Sequence, residues 1–468
     1  MSTVAEGRIP DRAIPGALRA TLAGEVITPD DDAYDRARRV WNGMIDRYPA
    51  AVVRPRGAAD VIECVRIARE HDVPLAVRGG GHNVAGFGTC DGGLVVDLTS
   101  MRAVRVDPVR KLARAGGGAT WGDVDRETQA FGLAAPGGIV SATGIGGLTL
   151  GGGQGWLRRT LGMTCDSLVS ADVVTADGHL LVASESENPD LFWALRGGGG
   201  NFGIVTSFEY RLHPVGPLVA FAAPVYPLEK APAILPAFRE FAAAAPDEVN
   251  LSATFWTLPA APAFPEHVHG RPVIVLGALF AGDPARGEAA LRPLREIDEP
   301  VLDLSAILPY TAVQKLFDRF FPSGELRYYW KSLYLDRLDD DAVAEIVDHV
   351  SSRPSSLSMA SVWALGGALP RVPATDTAAG NRDAPYLLEI LANWDGAAES
   401  NANIAWARGF FDAMAPFGSG KTNLNFPGLG EDEDFVRAAF GPGYDRLLAA
   451  KRVYDPTNLF RLNQNIVP

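Results

Sequence analysis

Glycine is bunched rather than spread in this chain, and the bunching limits what the first half can fold into. The sequence has 468 residues and 50 glycines, with dense clusters at 79–81, 116–118, 137–138, 144–155 and 197–203. A residue without Cβ weakens helices and strands, so such clusters mark places where backbone approaches something closely. No comparable cluster follows residue 203, and the character of the chain changes near His213-Pro214. A chain of this length exceeds one ordinary core, so two domains are expected.

Residues 1–34 read as an irregular arm. A helix is predicted over 35–48, a short strand over 51–54, and a helix over 58–70, where Val61, Ile62, Val65, Ile67 and Ala68 recur at helical spacing. Strands at 73–77 and 93–98 complete a small β-α-β unit whose exit loop is Arg78-Gly79-Gly80-Gly81-His82-Asn83. Further on, 104–116 reads as a strand or strand pair, 121–132 as a helix, and 144–155 as too glycine-rich for either. A hairpin is predicted over 168–182 on Asp177-Gly178, then a short helix at 188–195 and a strand at 203–212. From 216 to about 425 strands alternate with amphipathic helices (231–244, 284–297, 339–351, 402–414), and aromatic residues such as Trp256, Phe320, Trp330 and Trp363 concentrate there. A last helical stretch spans 432–453.

Bulk properties exclude several classes. The net charge is −13 with no Lys/Arg-rich run, which argues against nucleic acid or an anionic membrane as partner. No apolar run reaches the roughly 18 residues a spanning helix needs. The three cysteines, Cys64, Cys90 and Cys165, are scattered without zinc-site spacing, and a reducing cytoplasm is the expected location. His267 and His269 in PEHVHG lack further ligands at metal spacing, so no metal is expected. The stretch APFGSGKT, Ala415 to Thr422, imitates a phosphate-binding P-loop. It lacks the first glycine, follows an amphipathic helix and runs into NLNFPGLG, so the nucleotide-hydrolase reading is rejected.

The loop RGGGHN can converge successive N–H groups on an anion, although the same letters also suit a turn carrying a surface histidine. Two further arrays, GGIVSATGIGGLTLGGGQG (137–155) and GGGGNFG (197–203), tip the balance. None fits GxGxxG between a strand and a helix. Three glycine loops in one domain suit a long ligand, such as a dinucleotide, threaded between subdomains.

Four blocks in order carry a family resemblance: RGGGHNVAGFGTCDGGLVVDL, APGGIVSATGIGGLTLGGGQGWLRRTLGMTCDSLVSADVVTADG, NPDLFWALRGGGGNFGIVTSFEYRL and YDPTNLFRLNQNI. The chain resembles the berberine bridge enzyme-like branch of the vanillyl-alcohol oxidase superfamily, with its bacterial 6-hydroxy-D-nicotine oxidase-type and antibiotic-tailoring members nearest. That resemblance implies an α+β fold: a two-subdomain FAD-binding domain (35–214), a substrate domain with an antiparallel sheet backed by helices (215–425), and a C-terminal segment returning to the FAD (426–468). It implies an FAD-dependent oxidoreductase of secondary metabolism, with a small-molecule substrate. His82 matches the position bonded to the flavin 8α-methyl carbon. Arg78, Gly79, Gly80, Gly81, Asn83, Gly86, Gly138, Thr143, Gly144, Gly146, Gly147, Gly151 and Gly153 fall in the cofactor loops, Ile204 and Val205 near the adenine, and Asn463 and Asn465 over the cofactor.

Departures from the family pattern matter as much. Val140 stands where many relatives carry a second flavin-linking cysteine, so a single covalent link through His82 is expected, with Cys165 a packing residue. Asn423 stands at the usual tyrosine base, and Arg371 is matched to the glutamate of the plant alkaloid enzymes. Tyr329 and Lys331, alternating on RYYWKSLYL, and Tyr334 beyond them are the replacement candidates; a desolvated lysine can act as a base. Ile145 matches the side chain that affects oxygen access, which leaves oxidase and dehydrogenase open. So does the choice between hydride removal from a ring-bearing substrate, a cyclase or reductase without net oxidation, and a non-catalytic flavoprotein.

Overall fold

The computed structural model of this chain describes residues 13–426 and 433–468. Its first sheet runs Glu25–Ile27, Ala51–Arg54, Leu94–Asp97, Leu75–Arg78 in spatial order. The last three strands are parallel, and helix Ala58–Glu70 makes the crossover between two of them. Beyond residue 12, the expected irregular arm is folded. Ile14 and Leu18, one helical turn apart on Ala13–Thr21, enter the core formed by Val61 and Val65, and Glu25–Ile27 pairs antiparallel with Ala51–Arg54. Residues 1–12 of that arm lie outside the described residues.

The helix expected over 35–48 shrinks to Tyr34–Arg38. Arg39 is already extended, and the following Trp41 and Asn42 are buried against the other half of the molecule. There Trp41 Nε1 donates to the Phe321 carbonyl (3.0 Å), and Asn42 Nδ2 donates to that of Tyr328 (2.9 Å).

A second sheet orders Val104–Asp107, Leu112–Gly116, Ile204–Arg211, Leu168–Val174 and Leu180–Ser184. The hairpin expected at Asp177-Gly178 is present, with Gly178 at φ +85°. The segment judged too glycine-rich for an element contains helix Ile145–Leu150. Tertiary anchors offset its poor propensity: Ile145 N donates to the Ala119 carbonyl (3.0 Å), and Thr149 Oγ1 lies 2.7 Å from Tyr210 Oη.

The third sheet is large and antiparallel. Its main order is Leu302–Asp303, Pro224–Pro227, Pro272–Phe280, Val249–Thr257, Met359–Ala364, Tyr386–Trp394, Arg327–Leu335. Helices Ala231–Ala244, Asp340–Ser351 and Ser400–Met414 cover one face. The opposite face turns toward the glycine loops. Helices Glu433–Phe440 and Tyr444–Tyr454 replace the single stretch expected over 432–453. The tail beyond them returns to the first half, where Phe460 and Ile466 are buried. The α+β architecture expected from the resemblance is what the chain adopts.

Candidate active site

Between the first two sheets and the tail lies a long cleft. Four stretches line it: residues 78–83, Thr143 to Gly151, Gly199 to Val205, and the tail from Phe460 to Gln464.

Glycine is required where two of these loops cross. A Cβ on Gly80 would fall 2.3 Å from Gly144 N, and one on Gly144 would fall 2.1 Å from Gly80 N. Gly81 sits at φ +71°. At Gly147, by contrast, an added Cβ meets nothing within 4 Å, because it would project into open space. The N–H groups of Gly80, Gly81, His82 and Asn83 have no acceptor among the described residues. Asn463, which lines the cleft and donates to the Gly200 carbonyl (3.0 Å), leaves its Oδ1 buried and unpartnered among the described residues. A long cradle with free donors along a glycine wall fits the diphosphate and flanking rings of FAD.

His82 closes one end. Its ring stacks on Trp41 (centroids 5.1 Å apart, 16° between planes), and Trp41 stacks in turn on Tyr328 at 3.7 Å. Thr143 Oγ1 lies 3.5 Å from His82 Nδ1. Desolvation between these walls pushes the imidazole pKa down to about 4, so the ring is neutral near pH 7 and keeps a nitrogen lone pair. Val140 packs into the same aromatic cluster. Cys165 is fully buried elsewhere, and burial pushes its thiol up, which suits a packing residue.

Of the expected cofactor residues, Arg78, Gly79, Gly80, Gly81, His82, Asn83, Thr143, Gly144, Gly146, Gly147, Gly151, Val205 and Asn463 line the cleft. The Arg78 side chain points away, to the carbonyls of Gly88 (3.0 Å) and Ala37 (2.6 Å). Five others do not line it. Ile204 is core between the sheets; Gly86 forms a turn at φ +75°; Gly138 offers its carbonyl to Gln314. Gly153 borders a second, small cavity, and Asn465 Oδ1 is buried without a partner among the described residues. Ile145 is fully buried with Trp121 and Phe208 rather than beside the cleft, which removes the ground for an oxygen-access reading.

The base candidates divide by strand face. On Arg327–Leu335 the odd-numbered residues face the helices. Tyr329 Oη accepts from Arg408 Nε (3.0 Å) and Lys331 lies over the Phe411 ring, both on the far side from the cleft. Those two expectations are therefore corrected. The even-numbered residues face the cleft side: Tyr328 and Trp330 reach Trp41, and Trp330 also packs on Phe426. Tyr334 Oη accepts from Gln154 Nε2 (3.1 Å), and burial holds its phenol above the ordinary range, which makes it a poor base. Asn423 borders the small cavity with Tyr334, and its N–H donates to Ser332 Oγ (3.1 Å). Arg371 is exposed and paired with Asp247 (2.5 Å).

Strand pairing exposes groups that sequence reading missed. Ser332 and Ser361 both stand opposite Glu389, and Thr254 stands opposite Ser361, giving one polar row across the cleft-side face. Thr254 and Ser361 share a hydrogen bond (3.0 Å). Trp330, Leu391 and Met359 flank the row on one side, Tyr334, Leu387 and Trp363 on the other. Glu389 is 5% exposed, and burial raises its carboxyl to about 8. Asn425, the other missed residue, pins the Gly147 carbonyl (3.1 Å) beside the cleft.

Comparison with known proteins agrees with this geometry. Residues 49–184 match the profile "FAD binding domain", and residues 420–467 match "Berberine and berberine like". The chain is 33% identical to the FAD-linked oxidoreductase YgaK of Bacillus subtilis over 96% of its own length and 98% of the relative. It is 32% identical to (R)-6-hydroxynicotine oxidase of Paenarthrobacter nicotinovorans, over 97% and 98%. The crystal structure of 6-hydroxy-D-nicotine oxidase from Arthrobacter nicotinovorans superposes with a TM-score of 0.86 at 30% identity, covering 96% of this chain and 98% of that one. The fold also matches glucooligosaccharide oxidase of Acremonium strictum (TM-score 0.83, 24% identity, 96% and 98% coverage), which carries a 6-S-cysteinyl, 8α-N1-histidyl FAD. Glycine cradle, sheet order and sequence together place this chain in the berberine bridge enzyme-like family of FAD-linked oxidoreductases, within the vanillyl-alcohol oxidase superfamily.

Proposed function

We propose that the chain oxidises a ring-bearing small molecule by removing hydride from a C–H bond next to oxygen or nitrogen. The FAD is held by one covalent bond, to His82, and Glu389 takes the substrate proton. The observation that carries this reading is the polar row Ser332–Glu389–Ser361–Thr254 between aromatic and aliphatic rows, on the sheet face away from the helices that also carries Tyr328 and Trp330 against Trp41. Bound FAD supplies a two-electron acceptor. Trp330 and its aromatic neighbours offer flat apolar surface for a ring, and the serine and threonine hydroxyls offer hydrogen bonds that orient it. Burial raises the Glu389 carboxyl to about 8, so it holds its proton at neutral pH and becomes an acceptor for a substrate O–H or N–H proton as pH rises toward 8. The names of the relatives, a nicotine oxidase and an oligosaccharide oxidase, support ring-bearing substrates. His82 is neutral and can bond the flavin methyl carbon, whereas Val140 cannot supply a second link.

Two measurements test this. Acid precipitation of the holoenzyme is expected to leave the pellet yellow, and that of His82→Ala to release the colour. Anaerobic mixing with ring-bearing alcohols and amines is expected to bleach the flavin, about 10²–10⁴-fold more slowly in Glu389→Gln. Wild-type bleaching rates in Glu389→Gln would remove that residue from the chemistry.

A further inference from the structure

Both walls beside His82 are fastened by one segment of the other half of the chain, residues 310–328. One wall is the Trp41 loop. Trp41 Nε1 donates to the Phe321 carbonyl (3.0 Å), Gly324 N donates to the Trp41 carbonyl (2.8 Å), and the Trp41 ring stacks on His82. The other wall is the loop 137–143, which ends at Thr143 against His82 Nδ1 (3.5 Å). Its fastening is specific. Asp318 Oδ1 accepts from Ser141 N (2.8 Å), and Asp318 Oδ2 accepts from Ser141 Oγ (2.5 Å). Three residues earlier, the Gly138 carbonyl accepts from Gln314 Nε2 (3.0 Å), a nitrogen that also donates to buried Asp125 (3.0 Å).

Loop 137–143 begins with two glycines, and each of its residues costs about 1–2 kcal/mol of backbone entropy to hold still. Ser141 is two residues from Thr143, and their carbonyls both accept from the start of helix Trp121–Gln129, at Gly122 N (2.8 Å) and Trp121 N (3.0 Å). A shift at Ser141 therefore passes to the Thr143 wall of His82.

We infer that Asp318, acting through Ser141, is a positioning residue for attachment of the flavin to His82; the inference rests on the His82 link proposed above. In attachment, a bond forms between an imidazole nitrogen and the flavin 8α carbon, and one methyl C–H bond breaks. That hydrogen and the imidazole N–H hydrogen leave two protons and two electrons on the flavin, and dioxygen removes them as hydrogen peroxide. The step needs the nitrogen lone pair aimed at one carbon, and a misplacement of about 1 Å can cost on the order of 10²-fold in rate.

The test is the acid-stable fraction of flavin, followed in time after FAD is added to protein expressed under flavin limitation. Asp318→Ala is expected to bind FAD but attach it about tenfold or more slowly. Asp318→Asn keeps one acceptor for Ser141 N and should recover part of the rate. Ser141→Ala, which removes only the Oγ contact, should slow attachment less than Asp318→Ala and serves if that variant fails to fold. Arg319→Ala, exposed beside it, is the control and should attach normally. Attachment at the unaltered rate in folded Asp318→Ala, or in Ser141→Ala if the first variant does not fold, overturns the inference and leaves the His82 link standing. Release of all flavin from the unaltered protein by acid would overturn both.

Discussion

Lys451 should be the costliest single position at which to disturb the tail. Its ammonium and the Asp455 carboxylate are 0% exposed and 2.7 Å apart, one turn apart on and just after helix Tyr444–Tyr454. The other two Nζ protons go to the carbonyls of Asn201 (3.0 Å), in the third glycine loop, and Phe460 (2.9 Å), on the cleft wall. Asp455 in turn accepts from Leu459 N (2.8 Å) and Phe460 N (2.9 Å). Every donor of one ion and both oxygens of the other are thus used, the condition under which a buried pair repays its desolvation. Burial lowers the lysine pKa, and Asp455 opposes that shift. Lys451→Met fits the space but strands a buried carboxylate and two carbonyls. The expected loss is about 3–5 kcal/mol, the range for breaking one side of a buried pair. Lys451→Met/Asp455→Asn removes the stranded charge while keeping an acceptor for the tail N–H groups, so it should recover part of that loss. Urea unfolding followed by tryptophan emission reads the stability. Flavin release in a His82→Ala background reads the cleft, and should be faster with Lys451→Met. A Lys451→Met protein within about 1 kcal/mol of the parent, with unchanged flavin release, would refute the reasoning, because a stranded buried charge cannot be that cheap.

Glycine substitutions separate fold from ligand. Gly144→Ala forces a Cβ to 2.1 Å from Gly80 N and should impair folding of the loop crossing, seen as a lowered melting temperature without cofactor. Gly147→Ala meets nothing within 4 Å and should melt normally as apoprotein, yet retain flavin less well, which FAD titration would show. Two buried acids set a pH trend. Burial raises Glu389 to about 8 and Asp125 to about 7. The native state therefore holds protons that the unfolded state releases above about pH 4, and stability falls as pH rises through that window up to about 8. Asp125→Asn should flatten the slope between about pH 4 and 7 in urea unfolding measured at several pH values. On the helix-facing side of the sheet, Tyr329→Phe and Lys331→Met should leave anaerobic flavin reduction within about twofold of the parent.

The glycine loops were legible because the constraint is local: without Cβ, backbone can meet backbone, as at Gly80 and Gly144. The Trp41 segment was misread because its apolar residues look helical, while their partners, Phe321 and Tyr328, lie some 280 residues further along the chain. Strand register was the harder loss. Alternation on RYYWKSLYL showed that Tyr329 and Lys331 share a face, but not which face the helices cover. That depends on Tyr386–Trp394, the neighbouring strand, on which every residue is buried. A single acid in such a strand was itself a signal. Carboxylates are almost never fully buried without a partner, so Glu389 within LLEILANW asks for one. Pairing sets Ser332 and Ser361 opposite it, yet burial still raises its carboxyl to about 8. The fully buried Arg158 cation and Trp363 offset part of its burial, yet a carboxyl held there still costs stability relative to leucine. Its retention among polar and aliphatic neighbours fits a proton that exchanges with a substrate. That makes the rate of Glu389→Gln, rather than its stability, the decisive reading: the variant should fold at least as well as the parent and bleach its flavin far more slowly.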